Sequence, residues 1–253
     1  MKDRINIVFL DEHIVVVDKP AGLTTVRHAH ETAEFGARGR RYLPPTLVDV
    51  LPGLLAAKVR KKGKHLRPGR IRAVHRLDKE TSGLVVLART PQAERSFGQQ
   101  FRAHSVERRY LALVRGRAKD ERIESYLVPD RGDGRRGSSP DRSNGQRAVT
   151  HVRLVEDLGD YSLVECRLET GRTHQVRIHL GERGTPLCGE TIYDRPLNGK
   201  PLPDRSGAQR PALHAAFLAV THPVTGKRLS WTSPLPDDMK QLQKRLRRQC
   251  SAG

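Results

Sequence analysis

The longest uninterrupted apolar run in the sequence is six residues, Ala215 to Val220. A membrane-spanning helix needs about 20, so no segment can cross a bilayer as a helix. The core must come from short strands and from helices that bury one stripe. At 253 residues the chain has room for one sizeable core or two small ones. There are no internal repeats and no long linker, which points to a single mixed α/β domain spanning residues 1–253.

The strongest local signals are apolar runs bounded by turn residues. Ile5–Leu10 and His13–Val17 read as two strands around an Asp11-Glu12 turn, and Leu84–Ala88 as a buried strand. Thr90-Pro91 opens a helix, with a capping hydroxyl and proline at the first helical position. Ala93, Phe97 and Phe101 then fall on one face. Thr46 is placed to cap a short helix through Leu55, with Val48, Leu51 and Leu55 together. Arg109–Val114 and Tyr161–Leu168 read as strands, and Thr173 as the cap of a helix running to about Arg183. Leu213–Val220 and Arg228–Trp231, joined by His222-Pro-Val-Thr-Gly226, look like a closing hairpin. Residues 27–45 and 130–147 read as loops.

Several familiar patterns fail on context. Gly132-Asp-Gly134-Arg-Arg-Gly137 has the glycine spacing of a dinucleotide loop but runs into Ser138-Ser-Pro140 where a helix should start. His174 and His179 are five apart, where two helical metal ligands stand four apart, so no metal site is expected. Cys166, Cys188 and Cys250 form no CxxC pair and are odd in number, which argues for a reducing, cytoplasmic setting. The N-terminus shows no secretory apolar stretch.

Charge narrows the partner. Lys and Arg number 47 and Asp and Glu 28, so the formal net charge is 47 − 28 = +19. The excess is clustered. Residues 58–72 hold eight Lys or Arg and no acid, and the 240–253 tail is basic again. Such clusters point to nucleic-acid phosphates. Neither carries the aromatic anchors of a membrane-surface helix. Aromatics at 4% are too few for a surface that stacks many bases in a row.

Three segments carry chemistry. His75-Arg76-Leu77-Asp78-Lys79-Glu80-Thr81-Ser82-Gly83 is a charged turn running straight into the apolar run 84–88, so Asp78 stands at the mouth of a buried strand. In Arg108-Arg109-Tyr110-Leu-Ala-Leu-Val114, Tyr110 shares the apolar face with Ala112 and Val114. In Glu169-Thr-Gly-Arg172-Thr-His174-Gln-Val-Arg177-Ile-His179-Leu180, Arg177 lies one helical turn from His174, with Val176 and Leu180 as the packing stripe. A partly buried Arg needs a carboxylate. Asp78 would serve, though sequence alone does not bring the two together.

With Lys19-Pro-Ala-Gly-Leu23 before them and Leu213-His-Ala, Thr221-His-Pro-Val-Thr-Gly-Lys227 and Ser233-Pro-Leu-Pro236 after them, these segments resemble, in order and over nearly the whole chain, the RluA-type pseudouridine synthases. The resemblance implies an α+β fold: a mixed, largely antiparallel sheet with a central cleft, flanked by helices and loops. It implies isomerisation of uridine to pseudouridine in RNA (rRNA or tRNA). Asp78 would be the catalytic carboxylate, Tyr110 would line the base pocket, and Arg177 would pair with Asp78. Arg76 would enter the RNA stack when the target base flips out. His75, Arg172, Lys61, Lys62 and Lys64 are the further expected RNA contacts.

The residue types suit that chemistry. A carboxylate attacks a sugar or base carbon only while ionised, and a nearby guanidinium favours that state. An aromatic ring stacks on a flipped base. No redox step or hydrolysis occurs, so neither cofactor nor metal is expected. A cytoplasmic monomer that binds RNA and no membrane is the resulting picture. The alternatives are an RNA-binding protein with a vestigial site, or another RNA-modifying enzyme such as a methyltransferase. The intact Asp, Tyr and Arg set opposes the first, and the lack of a Gly-rich cofactor loop after a strand opposes the second.

Two departures from the family pattern stand out. Where the family usually shows Gly-Asp…Tyr-Gly, this chain has Gly189-Glu190-Thr-Ile-Tyr193-Asp194, a change expected to be peripheral. Larger members often carry an N-terminal S4 domain, whereas here the first strand signal starts at about residue 5, so no such domain is expected. RNA grip would then fall to the 58–72 loop and the basic tail.

Overall fold

The computed structural model describes residues 5–27, 29–36, 42–61 and 70–251. The chain divides into two compact units: Met1–Val106 with Leu218–Ser233, and Glu107–Phe217 with Pro234–Gly253.

In the first unit β1 (Asn6–Leu10) and β2 (Ile14–Lys19) form an antiparallel hairpin. Its turn is set by Asp11, whose Oδ1 accepts the amides of His13 and Ile14 at 2.8 Å each. Ile14 to Val17 are all fully buried. That is why β2 reads as a continuous apolar run and not as an alternation. A helix α1 (Ala29–Phe35) lies in the stretch expected to be loop. Residues 29–35 contain neither Gly nor Pro, and Gly36 follows at φ 48. Next, α2 (Leu47–Lys61) starts where Thr46 predicts, with Thr46 N donating to Asp49 Oδ2 at 3.0 Å. It runs two turns past Leu55. Leu47, Leu51 and Leu55 are its buried face, while Val48 is only half-buried.

After β3 (Arg72–Ala73), β4 (Ser82–Ala88) pairs antiparallel with β2 and is buried at every residue. Then α3 (Pro91–Arg102) begins as its sequence predicts: Thr90 is extended (φ −126, ψ 154) and accepts the Ala93 amide at 3.2 Å. Its Ala93 and Phe97 close a core with Ile14, Val16, Leu84 and Val86.

The second unit contains β5 (Glu107–Arg115), β6 (Glu121–Val128), β7 (Gly137–Ser139), β8 (Gln146–Asp157) and β9 (Tyr161–Leu168), in the spatial order β5-β9-β8-β6-β7. All four neighbouring pairs are antiparallel. Both units are therefore α+β with antiparallel strand pairs, as the resemblance implies. Short β7 sits inside the expected 130–147 loop, and the rest of that segment is mostly exposed. Gly132 and Gly134 are turn residues at φ 107 and 74 whose amides donate to Asp130, and no helix follows them.

Next comes α4 (Gln175–Glu182). Then β10 (Leu213–Thr221) divides between the units after Phe217, and β11 (Arg228–Thr232) pairs with it as the expected closing hairpin. The basic tail is a helix, α5 (Asp237–Ser251). Its Met239, Leu242 and Leu246 pack with Leu113, Leu158, Leu163 and Cys188.

Candidate active site

In the first unit the turn bearing Asp78 is tied down on both sides. Thr25 Oγ1 donates to Leu77 O at 2.9 Å and accepts the Leu77 amide at 3.2 Å. Lys79 O accepts the Gly22 amide at 2.8 Å and Lys19 Nζ at 3.2 Å. Asp78 O accepts the Thr81 amide at 3.1 Å. Lys19 is fully buried, and its ammonium also donates to Pro20 O (2.9 Å) and Leu23 O (2.8 Å). A buried ammonium whose three protons all meet carbonyls has its donors satisfied. Thr25 thus grips the backbone directly before Asp78 and the Lys19–Leu23 loop grips it directly after, while Asp78 stays half-exposed.

The neighbours of Asp78 divide the work. His75 Nε2 accepts the Val86 amide at 3.1 Å and its ring stacks on Phe101 at 4.8 Å. Its ring therefore anchors the turn to β4 and α3. Arg76 is exposed and makes no hydrogen bond or ion pair with the described residues.

Tyr110, Arg172 and Arg177 belong to the second unit. Tyr110 is 8% exposed on the face of β5 that also buries Ala112 and Val114, as the alternation predicts. Next to it, Arg108 is buried over Gly171, where a Cβ would lie 2.3 Å from its Nη1. Burial lowers the Arg108 pKa from its ordinary value, opposed by Tyr110. A side chain at this position would displace the Arg108 guanidinium.

The Gly171–Arg177 segment is not capped by Thr173. The residue before the helix is His174, in the left-handed region at φ 59, with no side-chain cap bond. Gln175 ties the entry together instead. Its Oε1 accepts the Arg172 amide (3.0 Å) and Thr170 Oγ1 (2.8 Å), and its Nε2 donates to Val149 O and Thr150 Oγ1, both at 3.0 Å. His174 Nδ1 meets the Tyr193 hydroxyl at 2.8 Å. His179 lies between Thr150 Oγ1 (2.9 Å) and Ser125 Oγ (3.0 Å), and burial pushes its pKa down to about 4. Both histidines flagged by spacing are thus held by hydroxyls. Arg172 is half-buried and donates to Arg147 O at 3.1 Å.

Arg177 is buried and forms a bidentate pair with Glu190: Nε to Oε2 at 2.7 Å and Nη2 to Oε1 at 2.8 Å. Glu190 was expected to be peripheral; its side chain is in fact fully buried against the guanidinium. The signal was its place in a family-like Gly-x…Tyr motif, but nothing in the spacing pointed to Arg177.

Of the expected basic contacts, Lys62 and Lys64 lie outside the described residues, and Lys61 is the last residue of α2. On α5, Gln241, Lys244, Arg245, Arg248 and Gln249 line one open face. Arg247 is held by Glu156 (2.5 and 2.8 Å) and Arg245 donates to Ser206 O at 2.5 Å. Among the described residues no group of three or more His, Cys, Asp or Glu is placed to hold a metal ion. Cys166, Cys188 and Cys250 are free thiols.

Comparison with known proteins bears directly on these segments. The sequence pattern of the family described as RNA pseudouridylate synthase matches residues 13–182. The chain is 40% identical over 244 residues to the ribosomal large subunit pseudouridine synthase D of Zymomonas mobilis, covering 96% of this chain and 73% of that protein. It is 39% identical over 253 residues to the protein of the same name in Nitrosomonas europaea, covering 96% and 65%. Among solved structures, human RNA pseudouridylate synthase domain containing 4 superimposes with a TM-score of 0.72 at 24% identity, over 96% of this chain and 93% of that one. Human RNA pseudouridylate synthase domain containing 1 gives 0.63 at 23%, over 98% and 96%. At these identities the structural likeness speaks for the fold.

Proposed function

The chain belongs to the RNA pseudouridylate synthase family and isomerises uridine to pseudouridine in RNA; from that premise we propose that its target is large-subunit ribosomal RNA and that Asp78 is the catalytic carboxylate. The target follows the names of the relatives. The observation that carries Asp78 is the pinning of Leu77 and Lys79 by Thr25, Gly22 and buried Lys19, which leaves a half-exposed carboxylate on a rigid backbone. Rigid placement of a reacting group is a large part of catalysis.

In the proposed reaction the ionised carboxylate attacks C1′ or C6, or assists departure of the uracil. The C1′–N1 bond breaks, the base turns over, C5 bonds to C1′, any bond to the carboxylate breaks to regenerate it, the C5 proton leaves and N1 takes up a proton. Tyr110 stacks on the flipped base. Arg177 completes the proposed catalytic set as the cation that serves the carboxylate. Flipping costs a few kcal/mol, and exposed Arg76 offsets part of it by filling the vacated stack. His75 acts by holding the turn, while Arg172, Lys61, Lys62 and Lys64 contact RNA phosphate. Among the described residues no helix is long and apolar enough to cross a membrane, and a cytoplasmic monomer working without cofactor completes the proposal.

The test is tritium release from uracil-C5-labelled large-subunit ribosomal RNA, run without a methyl donor to exclude C5 methylation. Asp78→Asn should bind the RNA as wild type does and release no tritium. Activity within about tenfold of wild type would sink the assignment.

A further inference from the structure

Arg177 is part of the proposed catalytic set, so the group that fixes its orientation bears on the reaction. Two parallel N–H···O bonds to Glu190, at 2.7 and 2.8 Å, set the plane of the guanidinium and its rotation within that plane. A single contact or a lysine would leave both loose. Glu190 is itself immobilised. Its side chain is fully buried, and its Oε1 also accepts the amides of Thr191, Ile192 and Tyr193 at 3.1, 3.0 and 3.3 Å. Burial pushes this carboxyl up, but the hydrogen bonds and charge of Arg177 and the amides of Ile192 and Tyr193 outweigh it and hold it below the usual range. The same stretch reaches His174. The Tyr193 ring lies 5.2 Å from the Arg177 guanidinium carbon, and its hydroxyl meets His174 Nδ1.

We propose that Glu190 is a positioning residue for the isomerisation, holding Arg177 through the bidentate pair in the one orientation in which it serves the reacting carboxylate. The inference rests on the reading of Arg177 as a member of the catalytic set. The rival is a buried ion pair that only stabilises the entry to α4. The two differ in the rate of conversion once RNA is bound.

The experiment compares Glu190→Gln, Glu190→Asp, Arg177→Lys and the Glu190→Gln/Arg177→Lys double variant. It measures single-turnover conversion at saturating enzyme and RNA affinity by filter binding. The probe is in vitro transcribed large-subunit ribosomal RNA, and the temperature is one at which near-ultraviolet circular dichroism shows each variant native. Glu190→Gln keeps the shape and loses the charge, and should slow conversion about a hundredfold, as misplaced catalytic groups do. Its RNA affinity should stay within about threefold of wild type, since a group acting only after binding leaves binding alone. Glu190→Asp keeps the charge and should recover part of the rate, to within about tenfold of wild type. The double variant should be no slower than the slower single one, because both changes break one unit.

A native Glu190→Gln enzyme at wild-type rate would overturn the proposal. So would a loss confined to RNA affinity, or losses that multiply in the double variant. If Glu190→Gln does not fold, Glu190→Asp decides: slower conversion with unchanged affinity supports the proposal, and a wild-type rate overturns it. Asp78→Asn in the same assay separates the premise from the inference. Retained conversion there removes the catalytic set itself, whereas an inactive Asp78→Asn beside silent Glu190 variants removes only the role of Glu190.

Discussion

Lys19 and His179 show opposite ways of burying a titratable side chain. Lys19 meets the carbonyls of Pro20, Leu23 and Lys79 with its ammonium. Lys19→Met preserves length but strips Pro20, Leu23 and Lys79 of a charged donor, and each such bond is worth about 1.5–3 kcal/mol. The variant should lose at least about 3 kcal/mol in denaturant unfolding and slow conversion even where it is folded, because Lys79 adjoins Asp78. An unchanged midpoint would show the ammonium to be dispensable. His179 is instead held neutral, its pKa pushed down to about 4 by burial. An unfolded histidine titrates near 6.5. Between those values the unfolded chain binds a proton that the folded chain refuses, so stability is full above about pH 6.5 and falls as pH drops toward 4. From pH 7 to 5 this one group should cost about 2 kcal/mol. His179→Gln should show a shallower acid slope in urea titrations at the two pH values, and equal slopes would exclude the mechanism.

At the scale of elements, helix starts and helix faces carry separate predictions. Thr90 caps α3 through the Ala93 amide, so Thr90→Ala should cost about 1 kcal/mol, read as a shift in the denaturant midpoint. On α5 the cations are not equivalent. Lys244 and Arg248 lie on the open face, whereas Arg247 is spent on Glu156. Replacing Lys244 and Arg248 with glutamine should reduce the slope of log K against log salt by about 1.4, two single-strand phosphates at about 0.7 each. Arg247→Gln should leave that slope nearly unchanged. The reverse ranking would mean that α5 is a solvated helix and that RNA runs elsewhere.

For the whole molecule, the net charge of +19 makes RNA affinity a function of ionic strength before any site residue is considered. Isomerisation moves no electrons to an outside acceptor and adds no water. Conversion should therefore persist in EDTA on an RNA whose fold is metal-independent. A loss that zinc or magnesium restores would overturn the cofactor-free reaction.

Much of this protein is written in short-range pattern. The unbroken apolar runs of β2 and β4, the Thr90-Pro91 start of α3, and the placement of Tyr110 with Ala112 and Val114 follow from periodicity and capping. These depend on neighbours within a few residues. The strands β6 and β8 lack so clear a pattern: in β8 Ala148, Val149 and Thr150 are buried in succession, so no alternation marks them. Met239, Leu242 and Leu246 of α5 do recur at helical spacing. The candidate site was legible as motifs, since Asp78, Tyr110 and Arg177 stand in segments whose order alone is informative. What those motifs touch was decided by tertiary structure. Gln175, not Thr173, ties down the entry to α4, because its amide reaches Val149 and Thr150 on a strand some 25 residues earlier. Glu190 reads in sequence like a surface acid. Only folding buries it and brings the Arg177 fork onto it, because a carboxylate is a solvated charge or half of an ion pair according to what the folded chain sets beside it.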